Sequence, residues 1–231
     1  MGQMTRYNYT ILQEGSLPLR PDGVNAYGVE HRCTAALIWT ADEKPTARNT
    51  IVTDPCFTSS GFTDAEIRLK QLGLTIADIA YYFVTHQHWD HMPDVPPRPP
   101  LPKWLNWDDS GVDFPDLDSV PCPGHDPLLQ ALVFHSTRDE TVWVVGDAVL
   151  NLEWLQRWKY YWPNGYSETE IVETWRSVAK ILSPDIIVPG HGAPIPVTRA
   201  LLEHLRATFP MAEHAPECPD VRDAINARLR R

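Results

Sequence analysis

Thr85-His86-Gln87-His88-Trp89-Asp90-His91 places three histidines and an aspartate within six positions. Imidazole nitrogens suit zinc and iron, and a carboxylate adds a hard oxygen donor that offsets the charge of a cation. His86 and His88 are two apart, so in an extended backbone both rings point to the same side. Asp90 and His91 follow directly, and a turn there aims them at a second ion beside the first. The stretch is preceded by Ile79-Ala80-Tyr81-Tyr82-Phe83-Val84, an apolar run that reads as a β-strand. Strand ends hold ligands rigidly enough for metal geometry.

Three more candidate donors lie downstream, each in a turn after an apolar or proline-marked run. They are His125 in Pro121-Cys122-Pro123-Gly124-His125, Asp147 in Val144-Val145-Gly146-Asp147, and His191 in Val188-Pro189-Gly190-His191-Gly192. Any one of them alone reads equally well as a turn histidine or a helix cap. The ordered set is what carries information.

Upstream, residues 7–12, 34–40 and 49–53 read as strands, the first two separated by a turn region at 18–28. Thr63 and Glu66 have capping-box spacing, which predicts a helix from there to about Leu72, stopped by Gly73. Eight prolines and two tryptophans between 92 and 121 exclude a regular helix or central strand over the first half of that stretch. It reads as a stiff surface loop over the cleft, with Trp104 and Trp107 either facing a substrate or pinning the loop to the core. Residues 128–134 and 141–145 read as an antiparallel pair. Residues 151–161 read as an aromatic helix whose Trp154, Leu155 and Trp158 belong to the core. Ser167 and Glu170 form a second capping box, opening an amphipathic helix through Ile171, Trp175, Val178 and Leu182. A short buried strand at 185–188 presents His191, and helices at 198–208 and 220–229 close the chain.

In this order the motifs resemble those of the metallo-β-lactamase superfamily, from the strand before Asp54 to Gly192. The resemblance implies an α/β fold, a four-layer αββα sandwich of two mixed β-sheets flanked by helices. It implies that His86, His88 and His125 hold one metal, that Asp90, His91 and His191 hold the other, and that Asp147 bridges them. Asp54 matches the position of an aspartate that holds the histidine-rich loop from behind. The implied activity is that of a binuclear hydrolase whose bridging hydroxide cleaves an ester, thioester, lactone or phosphodiester, with Asp90 as the catalytic acid–base group. The implied cofactors are two divalent ions, zinc first, with iron or manganese as alternatives.

Departures from better-known branches narrow this. Zinc β-lactamases of the commonest type carry cysteine where Asp147 stands. Flavodiiron-type members have glutamate at His88, and quorum-sensing lactonases have tyrosine at Leu150. Glyoxalase II-like thioesterases share the full donor set at about this length. The alternatives are a mononuclear iron enzyme resembling persulfide dioxygenases, and a small nuclease of the same fold.

Composition sets the bounds. A chain of 231 residues is expected to form a single domain. A net charge of -10 argues against nucleic acid as a partner and favours a small-molecule substrate. No run approaches the length of a membrane span and the start lacks an apolar signal core, so a cytoplasmic protein is expected. Cys33, Cys56, Cys122 and Cys218 are scattered and read as reduced thiols. His31, His135, His204 and His214 fall outside the pattern and read as surface or core residues. A homo-oligomer is compatible with all of this.

Overall fold

The computed structural model describes residues 4–79, 81–93, 103–104, 114–161 and 165–231. Among these residues the chain forms two five-stranded sheets. The first contains β1 (Tyr7–Gln13), β2 (Ala35–Thr40), β3 (Thr50–Thr53), β4 (Tyr81–Phe83) and β5 (Lys103–Trp104), hydrogen-bonded in that order. The β1–β2 and β2–β3 pairs are antiparallel, while β3–β4 and β4–β5 are parallel. The second contains β6 (Asp118–Pro121), β7 (Gln130–His135), β8 (Thr141–Gly146), β9 (Ile186–Pro189) and β10 (Ile195–Pro196), in the order β10-β9-β8-β7-β6. Only its β8–β9 pair is parallel.

Side-chain alternation explains the layering. Ile38 and Ile51 of the first sheet meet Leu132, Phe134, Val142 and Val144 of the second in one buried cluster, which is the seam between the sheets. Their neighbours point the other way. Leu37, Trp39 and Val52 pack on Ala65 and Leu69 of α1 (Ser59–Gln71). Trp143, Val145 and Ile187 pack beneath α3 (Glu168–Ile181), α4 (Arg199–Thr208) and α5 (Pro219–Leu229). Helix, sheet, sheet, helix is the four-layer sandwich that the sequence led us to expect. No helix among the described residues is long and apolar enough to cross a membrane.

Local chemistry sets most element boundaries. The box at the start of α3 is made as read, with the Ser167 hydroxyl accepting from Glu170 N and Glu170 Oε2 accepting from Ser167 N at 2.7 Å. The box expected at Thr63 is not. Helix α1 starts earlier, capped by Thr58, and Thr63 sits inside it with its hydroxyl donating to Ser59 O. Its early turn is fixed by Gln13, whose Oε1 accepts from Thr58 N and whose amide donates to Cys33 O and Cys56 O. A Cβ on Gly61 would fall 1.7 Å from that same Oε1, so packing requires the glycine in this first turn.

Three other expectations are corrected. Among the described residues the strand before the metal motif covers Tyr81–Phe83, while Ile79 closes the preceding turn with its amide donating to Ile76 O and Val84 already lies past the strand end. The aromatic helix spans only α2 (Leu152–Gln156), since Trp158 turns out of it at φ +51°. That turn buries the Trp158 indole against Trp175 and Phe209, with Nε1 donating to Thr208 Oγ1 at 3.1 Å. Within 92–121, residues 103–104 form an edge strand and 118–121 pair with β7. The loop's placement over the cleft, Trp107 and the side chain of Trp104 lie outside what the structure describes.

Candidate metal centre

The centre lies where β3, β4, β8 and β9 end at one rim of the sandwich. Asp54 follows β3 at φ +42°, and its amide donates to Phe83 O across the sheet. Its buried carboxylate accepts from Thr85 N at 2.7 Å and Thr85 Oγ1 at 2.9 Å, and lies 3.0 Å from His91 Nδ1. A carboxylate can only accept there, so His91 carries its proton on Nδ1 and turns Nε2 toward the centre. His191 is fixed the same way, with Nδ1 donating to Arg32 O at 2.9 Å. Thr85 gives its hydroxyl proton to Asp54 and can accept from His86 Nδ1 at 3.2 Å. The outer nitrogen of His125 lies 2.7 Å from the Tyr166 hydroxyl.

Asp147 follows Gly146, which adopts φ +50° and leaves no room for a Cβ, since one would fall 2.2 Å from Thr85 Oγ1. This close approach brings the two sheet ends together. Gly190, just past the neighbouring strand β9, leaves as little room, since a Cβ there would meet Asp147 Oδ1 at 1.9 Å. Asp147 then divides its oxygens. Oδ1 is 3.2 Å from both His91 Nε2 and His191 Nε2, while Oδ2 is 3.3 Å from His125 Nε2 and 3.9 Å from His86 Nε2.

The structure brings all seven candidate donors together. His86, His88, His125 and Asp147 form one group and Asp90, His91, Asp147 and His191 another, with donor atoms in each within 4.8 Å of one another. His86 Nε2, His91 Nε2, His191 Nε2 and Asp147 Oδ1 are buried without a hydrogen-bond partner among the described residues. Each such atom costs about 1–3 kcal/mol if left bare, and all four converge. The residues therefore fit a metal pair.

Electrostatics separates the two groups. Burial, reinforced by its histidine neighbours, pushes His86 down to about 2, and burial brings His125 to about 4 against the opposing pull of Asp147. His91 and His191 are displaced the other way, because Asp147 outweighs burial at both, helped by Asp54 at His91. Burial would raise Asp90, but the hydrogen bond from His31 and the nearby histidines hold it at about 2. Burial opposes ionisation of Asp147 too, and His191, His91 and His125 keep its carboxyl well below the usual range. Cys122, three residues from His125, is packed with Leu129 and Ala131 and pushed up to about 11 by burial, so it belongs to the core.

A cavity of about 470 Å³ opens above the donors, walled by Leu17, His31, Trp89, Leu150, Tyr161 and Tyr166. Among these, His31 stands outside the sequence motifs, yet its Nε2 lies 3.0 Å from Asp90 Oδ2. Tyr166 is likewise invisible to sequence reasoning. Neither carries a spacing signal, since the first is 59 residues from its partner and the second 41. Replacing Tyr166 with phenylalanine should weaken binding at the first group about 10–100-fold, the usual cost of losing such an outer partner. Competition against a chromophoric chelator reads it; unchanged affinity would show that the hydroxyl does not orient His125.

No family model matches the chain, and no curated protein matches it in sequence. Solved structures do match. A Thermotoga maritima protein described as a metallo-β-lactamase has 16% identity and a TM-score of 0.57, covering 83% of this chain and 99% of its own. A Staphylococcus aureus protein described as a metal-dependent hydrolase has 12% identity and a TM-score of 0.57, covering 82% and 91%. A metallo-β-lactamase family protein of Thermus thermophilus has 16% identity and a TM-score of 0.50, covering 96% and 78%. Strand order, layering and these likenesses agree: the chain has the metallo-β-lactamase fold.

Proposed function

We propose that this protein is a binuclear metal-dependent hydrolase of small molecules, with zinc as the first candidate metal and an ester, thioester, lactone or phosphodiester as substrate. The observation that carries this reading is the division of the Asp147 oxygens, one toward each donor group. When bound, a divalent pair held by these residues would supply an activated water and Lewis-acid stabilisation of charge on the attacked and leaving oxygens. The chain's own residues do the rest. Asp90, ionised throughout the neutral range, accepts a hydrogen bond from the attacking water and fixes its direction. Trp89 and Tyr161 line the cavity and supply flat surface for the body of the substrate, and Leu17 and Leu150 add apolar wall beside them. No serine, cysteine or lysine nucleophile is called for. Four free cysteines accord with a reducing, cytoplasmic setting.

Elemental analysis of chelator-free protein, followed by a hydrolysis screen over those four bond types, tests the proposal. Two zinc ions per chain with turnover of at least one class is the expected result. One iron per chain with oxygen uptake on a glutathione persulfide would replace it with the oxidoreductase alternative.

A further inference from the structure

Asp90 and His191, two donors of the second group, are both tied to one short segment far from them in sequence. Arg32 O accepts from His191 Nδ1 at 2.9 Å and from Ser16 N at 2.9 Å, so this carbonyl is doubly anchored. Thr34 N donates to Gly190 O at 2.6 Å, and the Thr34 hydroxyl donates to Gly192 O at 2.9 Å, clamping the turn on either side of His191. His31 stands at the open end of the segment. Its ring lies edge-on to Trp89 at 5.3 Å and 5.1 Å from the His191 ring, which sets its plane. Its Nε2 reaches Asp90 Oδ2 at 3.0 Å, the same oxygen that lies 3.4 Å from His191 Nε2 and 3.9 Å from His91 Nε2.

We propose that His31 is a positioning residue for the second metal site, holding Asp90 Oδ2 toward that site from a loop outside the metal motif. The proposal rests on the binuclear reading above. Asp90 is itself buried at 6% exposure although it follows Trp89, which is 72% exposed, and the bonds that the Asp54 carboxylate makes in this loop go to Thr85 and His91. His31 supplies a hydrogen bond to the Asp90 carboxylate, and a carboxylate oxygen accepting one such bond keeps lone-pair capacity for an ion. The first group takes its support elsewhere, His86 from Thr85 and His125 from Tyr166. The effect of His31 is therefore one-sided, acting on the second ion alone. It also links the cavity wall to the metal, because the Trp89 and His31 rings that touch each other both line the cleft.

The test is stepwise zinc binding to the full chain, stripped and then titrated in competition with a chromophoric chelator. It compares wild type, His31→Ala and His31→Gln. Glutamine places an amide N–H close to where the Nε2–H of histidine stands and keeps the donor. Expected are two resolved equivalents for wild type, and a second equivalent about 10–100-fold weaker in His31→Ala with the first within about twofold. His31→Gln should recover most of the loss. Equal loss in both variants would overturn the hydrogen-bond role in favour of direct ligation by His31. Two unaltered equivalents in His31→Ala, or equal weakening of both, would overturn it as well. A wild-type chain that takes up fewer than two ions would instead overturn the binuclear reading on which the proposal stands.

Discussion

Replacing Asp147 with alanine should cut hydrolysis by about 10³-fold or more and leave a chain that binds at most one ion tightly. Asp147 is the one residue common to both donor groups, with Oδ1 facing His91 and His191 and Oδ2 facing His125. On the proposed binuclear reading, losing it would remove a donor from each group. Lewis-acid stabilisation is worth several kcal/mol, and about 1.4 kcal/mol corresponds to a tenfold change in rate. The fold should survive, because Asp147 follows β8 and its carboxylate faces the centre rather than the seam between the sheets. Circular dichroism and elemental analysis should accompany the kinetics. Asp147→Asn separates charge from shape: it keeps the side-chain volume and loses the anion, so it should be almost as inactive. Full turnover in the alanine variant would remove the site assignment altogether.

Parts of the molecule are legible in the sequence because their causes are local. Ser167 and Glu170 cap each other across three residues, so the pattern and the structure coincide. Val142 to Val145 alternate between the seam and the outer layer, which is what a strand buried on both faces must do. The seven donors stand out because few residue types hold a divalent ion, and Gly146 and Gly190 beside them mark backbone that must come close. What is hidden is set by distant contacts. Thr58 rather than Thr63 begins α1 because Gln13, on β1, fixes the first turn. Trp158 ends α2 because its indole has partners on and just beyond α4. His31 looks like any loop histidine until Asp90 is brought beside it, and no spacing rule connects positions 59 apart.

Chelation should destabilise the protein strongly and change how its stability depends on pH. An ion that binds only the folded chain contributes about 4 kcal/mol when present at a thousand times its dissociation constant. At about 2–4 °C per kcal/mol for a chain of this size, removing each such ion should lower Tm by roughly 8–16 °C. Without ions, the buried imidazoles govern the response near neutrality. Below the ordinary histidine value of 6.5 the unfolded chain takes up protons that folded His125 refuses until about pH 4 and His86 until about pH 2. Stability from that pair is thus present above 6.5 and lost as pH falls toward 4 and below. His91 and His191 act in the opposite sense. Their raised folded values give a contribution fully present below 6.5 and lost as pH rises through those values. The carboxyls of Asp90 and Asp147 titrate too low to matter in this range. The stripped chain should therefore be most resistant to urea near pH 6.5 and weaker at both pH 5 and pH 8.5. With metal present the curve should change on the alkaline side, where the ion replaces the protons of His91 and His191 and keeps Asp147 compensated. Urea midpoints at three pH values, with and without chelator, measure this directly. A stripped chain whose midpoint rises steadily from about pH 5 to 8.5 would mean that His91 and His191 do not hold their protons against Asp147, and that the second group is neutral before the ion arrives.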